Sequence, residues 1–262
     1  MHKVEIRREI AERVFARRGR LHLFDALDPK RSALVVIDMQ NAFVAPGAPM
    51  EVPAARAIVA PINRLATELR RRGVVVIWVA HENRKDGRDW AGFFDAFVAP
   101  GRRADASAAL SAGSELQKLW PELEIAAGDL RVAKNRYSAF IKNDFEKTLQ
   151  QRGIDTLLIA GTKTNVCCEC TARDAMMLDY KVVLLSDWTA ALSDEEQRAT
   201  LENVIQQFGD VLTANEALTL LDVGGKPQPP ARAGYQVHGH RNSLFPLRRP
   251  DPLTVIYGFH SN

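Results

Sequence analysis

Ala33-Leu-Val-Val-Ile37 is an unbroken apolar run that stops abruptly at Asp38. A half-buried strand alternates apolar and polar residues; a run without alternation reads as a strand buried on both faces, as in a parallel sheet. Runs of the same kind follow at Val74–Ala80, Leu130–Ala133, Thr156–Ala160, Val182–Leu185 and Val211–Thr213. Helical patterns lie between them. Ala55, Ile58, Val59, Ile62, Leu65, Ala66 and Leu69 recur at helical spacing, and Gly73 ends that segment. Asn143 with Glu146, and Ser193 with Glu196, have the spacing of helix N-termini, with Gly153 and Gly209 closing the helices that follow. Strand–helix alternation implies an α/β fold: a three-layer, open, mainly parallel six-stranded sheet with helices on both faces.

The fold occupies residues 20–223 as one domain. Before it, residues 1–19 read as an amphipathic helix with Val4, Ile10, Val14 and Phe15 as its buried stripe and Gly19 at its end. Glu5, Glu9 and Glu12 argue against an Arg-rich transit peptide, since such peptides are poor in acids. After it, residues 224–262 are rich in Pro, Gly and Arg, and read either as a disordered tail or as an oligomerisation arm that docks on a neighbouring subunit. The connection 81–124 is long and carries Trp90 and several Phe residues, a composition that suits an active-site lid.

Bulk composition narrows the function. With 35 Lys and Arg against 32 Asp and Glu, the net charge of +3 gives no strong pull toward nucleic acid or a membrane surface. No run of about 18 apolar residues exists to span a bilayer. The 3 cysteines, Cys167, Cys168 and Cys170, crowd one short segment and cannot staple a domain of this size. A reduced, cytoplasmic protein is the expectation.

Ligands of open α/β sheets bind beyond the carboxyl ends of the strands. Asp38 follows the first run, Lys134 follows Leu130–Ala133, and Cys167 follows Thr156–Ala160 after the turn Gly161-Thr-Lys-Thr-Asn-Val166. A carboxylate, an ammonium and a thiol therefore converge on one sheet edge. Only about 3% of an ordinary thiol is thiolate at neutral pH, so a nucleophilic cysteine needs help. A helix N-terminus and a lysine stabilise the thiolate, and a carboxylate can take its proton and return it to a leaving amine. Singly, Asp38 reads as a cap or turn former, Lys134 as a surface residue and Cys167 as core filler, as Cys168 and Cys170 do. Their convergence outweighs those separate readings. Other classes stay open: a thiol–disulfide protein using Cys167 and Cys170, or a non-catalytic binding scaffold. A zinc site at the cysteines lacks further ligands nearby.

At these positions the sequence resembles the isochorismatase-like cysteine hydrolases, the superfamily of nicotinamidase, N-carbamoylsarcosine amidohydrolase and ureidoacrylate amidohydrolase. Val35-Val-Ile-Asp-Met-Gln-Asn-Ala-Phe43, Lys134-Asn-Arg-Tyr-Ser-Ala-Phe140 and Gly161-Thr-Lys-Thr-Asn-Val-Cys167 through Thr171-Ala-Arg-Asp-Ala175 carry the resemblance. Arg136-Tyr-Ser138 and Thr164-Asn-Val-Cys167 are most similar to the ureidoacrylate branch. The resemblance implies a catalytic Asp38, Lys134 and Cys167, with a non-proline cis bond at Thr162–Lys163. It implies an oxyanion hole from the amides of Lys163 and Cys167. It further implies a small-molecule amide or ureido substrate cleaved through a thioester, no cofactor, and a homodimer or homotetramer. Asn41, Tyr137 and Asn165 are candidates to orient the substrate, with Trp78, His81 and Lys163 lining the pocket.

The chain also departs from the family pattern. Lys163 stands where relatives commonly have a small residue, a cation that would favour an anionic substrate. The nicotinamidase metal motif, Asp-x-His followed by a second His, is missing; His81-Glu-Asn83 is its nearest match, so no metal is expected. Relatives that hydrolyse isochorismate lack the cysteine, and its presence here points to amide chemistry.

Overall fold

In the computed structural model, residues 2–226 are described. The segment 227–262, most of what reads as a tail or arm, lies outside the described residues. In chain order the elements are α1 (Arg8–Arg18), β1 (Ser32–Ile37), α2 (Asn41–Val44), α3 (Arg56–Arg71), β2 (Val75–His81), α4 (Ala91–Ala96), α5 (Arg103–Ala109), β3 (Leu130–Lys134), α6 (Phe145–Gln151), β4 (Thr156–Thr162), α7 (Glu169–Met177), β5 (Lys181–Ala190), α8 (Asp194–Asn203), β6 (Asp210–Leu212) and α9 (Ala214–Gly224).

The strands form one six-stranded sheet in the order β3-β2-β1-β4-β5-β6, and each described pairing is parallel. The chain winds outward from β1 to β3, then restarts on the other side of β1 at β4. The reversal between β1 and β4 is the switch point where a crevice opens at the carboxyl ends.

Strand period decides which residues serve which layer. Leu34, Val36, Val76, Trp78, Leu158 and Ala160 face α3 and α9 through Ile58, Ile62, Leu69 and Leu221. Their neighbours Val35, Ile37, Ile77, Val79, Leu157 and Ile159 face α1, α6, α7 and α8. Both faces of β1 are closed to solvent, which explains its unbroken apolar run. At the edge, β3 departs from that reading: Leu130 and Val132 pack on the core, while Arg131 and Ala133, on the strand's other face, are exposed.

The N-terminal helix packs on the core through Ile10 and Val14 and ends at Gly19, whose φ of +75° suits glycine. Phe15, expected in the stripe, is exposed instead. One residue beyond Val14 is about 100° further around the helix, away from the seam. Val4 precedes the helix and packs against the same core from an extended segment. Ser193 accepts from the Glu196 amide, as its spacing predicts, and a full capping box at Thr213 and Glu216 starts α9.

Candidate active site

The switch point brings three strand ends together. Asp38, the first residue after β1, adopts φ +52°, a left-handed conformation uncommon outside glycine and best tolerated by Asn and Asp. Its amide donates to Val79 O at 2.8 Å, which fixes the turn, and its side chain is fully buried. Next to it, Gly161 sits opposite Ile37 with φ +108°, and a Cβ there would collide with the Ile37 backbone. Glycine thus lets the β4 end approach the Asp38 turn. The Thr162–Lys163 peptide is cis, at the bond expected, and Thr164–Cys168 then form a wide π turn that leads into α7. That turn presents Cys167. Thr171 ties it down, its hydroxyl donating to Cys167 O at 2.7 Å while accepting from Ala139 N at 3.1 Å.

Lys134 ends β3, two strands from β1, a span of roughly 9–10 Å. Its long side chain crosses the end of β2 to reach the centre. Nζ lies 2.8 Å from Asp38 Oδ2, 3.5 Å from Cys167 Sγ, 3.1 Å from Arg136 O and 3.5 Å from His81 Nδ1. Neither charged side chain has any exposure. Taking two ions out of water is expensive, and a buried pair persists where further hydrogen bonds satisfy it, as Arg136 O and Cys167 do here. Of the Asp38 carboxylate, Oδ1 remains buried without a partner.

Charge and burial set the protonation states. Burial, with the Asp38 charge adding to it, pushes the Cys167 thiol well above its ordinary range. For Lys134, burial opposes the charge, but the Asp38 charge and the hydrogen bonds to Asp38 and Cys167 outweigh it and the ammonium is held. Burial and then the Lys134 charge push His81 down to about 4, so the ring is neutral at neutral pH. Its Nδ1 can accept from Lys134, and Nε2, 2.7 Å from Asn83 Oδ1, can donate. The resting centre is a neutral thiol beside a carboxylate–ammonium pair. A thiol in this state needs to lose its proton before it can act as a nucleophile, and a carboxylate oxygen without a partner is a group that can take one.

Cys167 opens on a cavity of about 870 Å³. Of the residues expected around the substrate, His81, Tyr137 and Lys163 line it. Trp78 does not: it is fully buried on the α3 side of the sheet, its indole N–H donating to Asp129 at 2.8 Å. Strand alternation puts it on the opposite face from His81, three residues on. Asn41 is likewise turned away, its Nδ2 donating to Glu115 O at 2.7 Å and its amide to Lys118 O at 2.9 Å. It braces the end of the long connection. Asn165 lies in the π turn outside the cavity wall, its Oδ1 buried without a partner.

Two features escape sequence reasoning. Gln40 is fully buried, accepts from His81 N at 2.8 Å and donates to His81 O at 2.9 Å, so it sets the height of the imidazole. Its place two residues after Asp38 is the only signal in the sequence. The second is which rings of the 81–124 connection, read from its length and aromatic content as suited to a lid, line the cavity: Trp90, Phe93, Phe94 and Phe97. Among the described residues, no group of three or more His, Cys, Asp or Glu is arranged to hold a metal ion.

The parallel sheet thus buries a carboxylate, an ammonium and a thiol together at its switch point. Residues 32–216 match the Isochorismatase domain, and the chain belongs to the isochorismatase family. It is similar to a cysteine hydrolase from Pseudomonas syringae pv. phaseolicola 1448A, with 32% identity over 78% of this chain and 98% of that one, at a TM-score of 0.71. An isochorismatase family protein from Desulfovibrio vulgaris subsp. vulgaris str. Hildenborough shares 30% identity over 73% of this chain and 98% of that one, at a TM-score of 0.64. N-carbamoylsarcosine amidase from Thermoplasma acidophilum shares 25% identity over 71% and 97%, at a TM-score of 0.57.

Proposed function

We propose that the protein is a cysteine-dependent amidohydrolase that cleaves a C–N bond of a small-molecule amide or ureido substrate, with Cys167 as nucleophile, Asp38 as acid–base and Lys134 as electrostatic partner. One observation carries the reading: Lys134 Nζ stands 2.8 Å from Asp38 Oδ2 and 3.5 Å from Cys167 Sγ, with all three side chains buried at the switch point. The similarity to a carbamoylsarcosine amidase supports the substrate class, and with Arg136-Tyr-Ser138 it favours the ureido branch.

Sulfur adds to the substrate carbonyl as Asp38 takes the thiol proton. The C–S bond forms and the carbonyl electron pair moves to oxygen, where the backbone amides of Lys163 and Cys167 hold it. Such donors are worth about 3–4 kcal/mol each in the transition state. Collapse breaks the C–N bond, Asp38 returns the proton to nitrogen, and the amine or ammonia leaves. Water, deprotonated by Asp38, then cleaves the thioester to the acid and restores the thiol. Lys134 offsets negative charge on sulfur and Asp38 throughout. Neutral His81 accepts from Lys134 without competing for its charge. Lys163 contributes a cation to the cavity wall beside the thiol and favours an anionic group near the scissile bond.

The test pairs turnover with adduct mapping. Wild-type protein and Cys167→Ala are assayed for ammonia or amine release from ureido acids, N-carbamoyl amino acids, nicotinamide and aryl amides, and acid-quenched samples are digested for mass spectrometry. Turnover by wild type with an acyl adduct confined to Cys167 is expected. An adduct on Cys170, or an active Cys167→Ala variant, overturns the mechanism.

A further inference from the structure

The geometry points to a primary amide or ureide whose carbonyl carries an extended apolar, aromatic substituent, larger than a single ring, as the substrate class of this site. This deepens the amidohydrolase reading and rests on it for the chemical step.

Size is the first argument. Cavities of about 300–1,000 Å³ suit drug-sized ligands, and this one, at about 870 Å³, lies near the upper end. Its lining is the second. An aromatic ladder runs outward from the reaction centre: His81 to Trp90 at 6.0 Å between ring centroids, Trp90 to Phe93 at 4.7 Å, and Phe93 to Phe97 at 5.8 Å, with interplanar angles of 29°, 27° and 14°. Its first ring touches Lys134, and its last, Phe97, is 80% exposed. Tyr137 closes edge-on against Trp90 at 4.9 Å, and the Arg136 guanidinium lies over the same indole at 4.9 Å, so the ladder is held before any ligand arrives. The ladder makes one wall of the cavity apolar over several ring widths, against which an extended apolar group can pack.

Direction is the third argument. Asp38, which must protonate the leaving nitrogen, is fully buried and does not line the cavity, whereas Cys167 does. The leaving nitrogen therefore turns toward the buried carboxylate, away from the cavity, and is small, ammonia in the simplest case. The other carbonyl substituent takes the open side, along the ladder. The bonds change as in the thioester sequence above, with water the only co-reactant: the amide and water give ammonia and the aromatic acid, or a carbamic acid in the ureido case.

The test uses acetamide, phenylacetamide, 4-biphenylacetamide and N-carbamoylglycine as substrates. Expected is a kcat/KM at least ~100-fold higher for 4-biphenylacetamide than for acetamide, with phenylacetamide between them. Phe93→Ala should lower the biphenyl-to-acetamide ratio of kcat/KM at least ~10-fold. Phe97→Ala removes an exposed ring without opening the core, and should penalise the biphenyl compound more than the phenyl one. Calorimetric binding of 4-biphenylacetamide to Cys167→Ala separates recognition from chemistry. Binding there that Phe93→Ala weakens supports the ligand class even if no turnover is found, in which case the amidohydrolase reading fails alone. No binding, or N-carbamoylglycine turned over as well as the biphenyl amide, overturns the inference while leaving cysteine-dependent hydrolysis standing.

Discussion

Lys134 is the residue on which most depends, because it holds a buried carboxylate and a buried thiol at once. Lys134→Met leaves the Asp38 charge buried and unpaired, and removing one member of such a pair costs about 3–5 kcal/mol. A shift of that size should appear as a lowered urea midpoint, with turnover reduced at least ~1,000-fold. Asp38→Asn combined with Lys134→Met removes both charges, so stability should return to within about 2 kcal/mol of wild type while activity stays lost. If the double variant is as unstable as the single one, the pair is not what makes Lys134 necessary. Lys163 tests a different quality. It lines the cavity as a cation, and Lys163→Met should lower kcat/KM for an anionic amide about 10-fold relative to a neutral one of the same shape, roughly 1.4 kcal/mol. Equal losses on both substrates would remove Lys163 from the account of specificity.

At the scale of elements, the site exists because β1 and β4 end close together. Gly161 permits this, since any side chain there meets the Ile37 backbone and must also adopt φ +108°. Gly161→Ala should therefore destabilise by at least about 2 kcal/mol and separate Asp38 from Cys167, readable as a lower denaturation midpoint together with lost turnover. A variant of wild-type stability and activity would mean the strand ends have slack. The central strands were legible because layers cover both of their faces, which leaves an unbroken apolar signature in Ala33–Ile37 and Thr156–Ala160. Asp38, Lys134 and Cys167 were legible for a related reason: each stands at or just beyond the carboxyl end of a strand, and strand ends meet. Trp78 was not. A strand buried on both sides carries no mark of which residue faces which layer, and register alone puts Trp78 against α3 and His81 at the centre. Asn41 shows another limit, since its amide holds the connection near Glu115, a contact remote in sequence. The aromatic wall sits in and around a helix of 6 residues, too short to display periodicity, so the sequence does not mark which rings turn to the cavity.

For the whole molecule, the buried imidazole of His81 couples the site to folding. Burial and the Lys134 charge lower it from 6.5 to about 4, so between those values the unfolded chain binds a proton that the native state refuses. Stability then rises with pH across that window, and acidification from pH 6.5 to pH 4 should remove about 3 kcal/mol from this group alone. Below pH 4 the native imidazole is protonated as well, and the contribution stays constant. Several carboxylates held low by arginines, Glu202 beside Arg7 and Glu68 beside Arg72 among them, also lose stability on acidification. Their ordinary range begins at 4.5, so their loss falls mainly below the upper part of the His81 window. Urea unfolding of wild type and His81→Gln at pH 7, 6, 5 and 4 separates the two effects. The difference in stability between the proteins should shift steadily against wild type from pH 6.5 downward, because only wild type carries the titrating ring. Parallel curves through that window would show that His81 is not held neutral. The structural account of a lysine that donates to it, rather than being repelled by it, would then have to be abandoned.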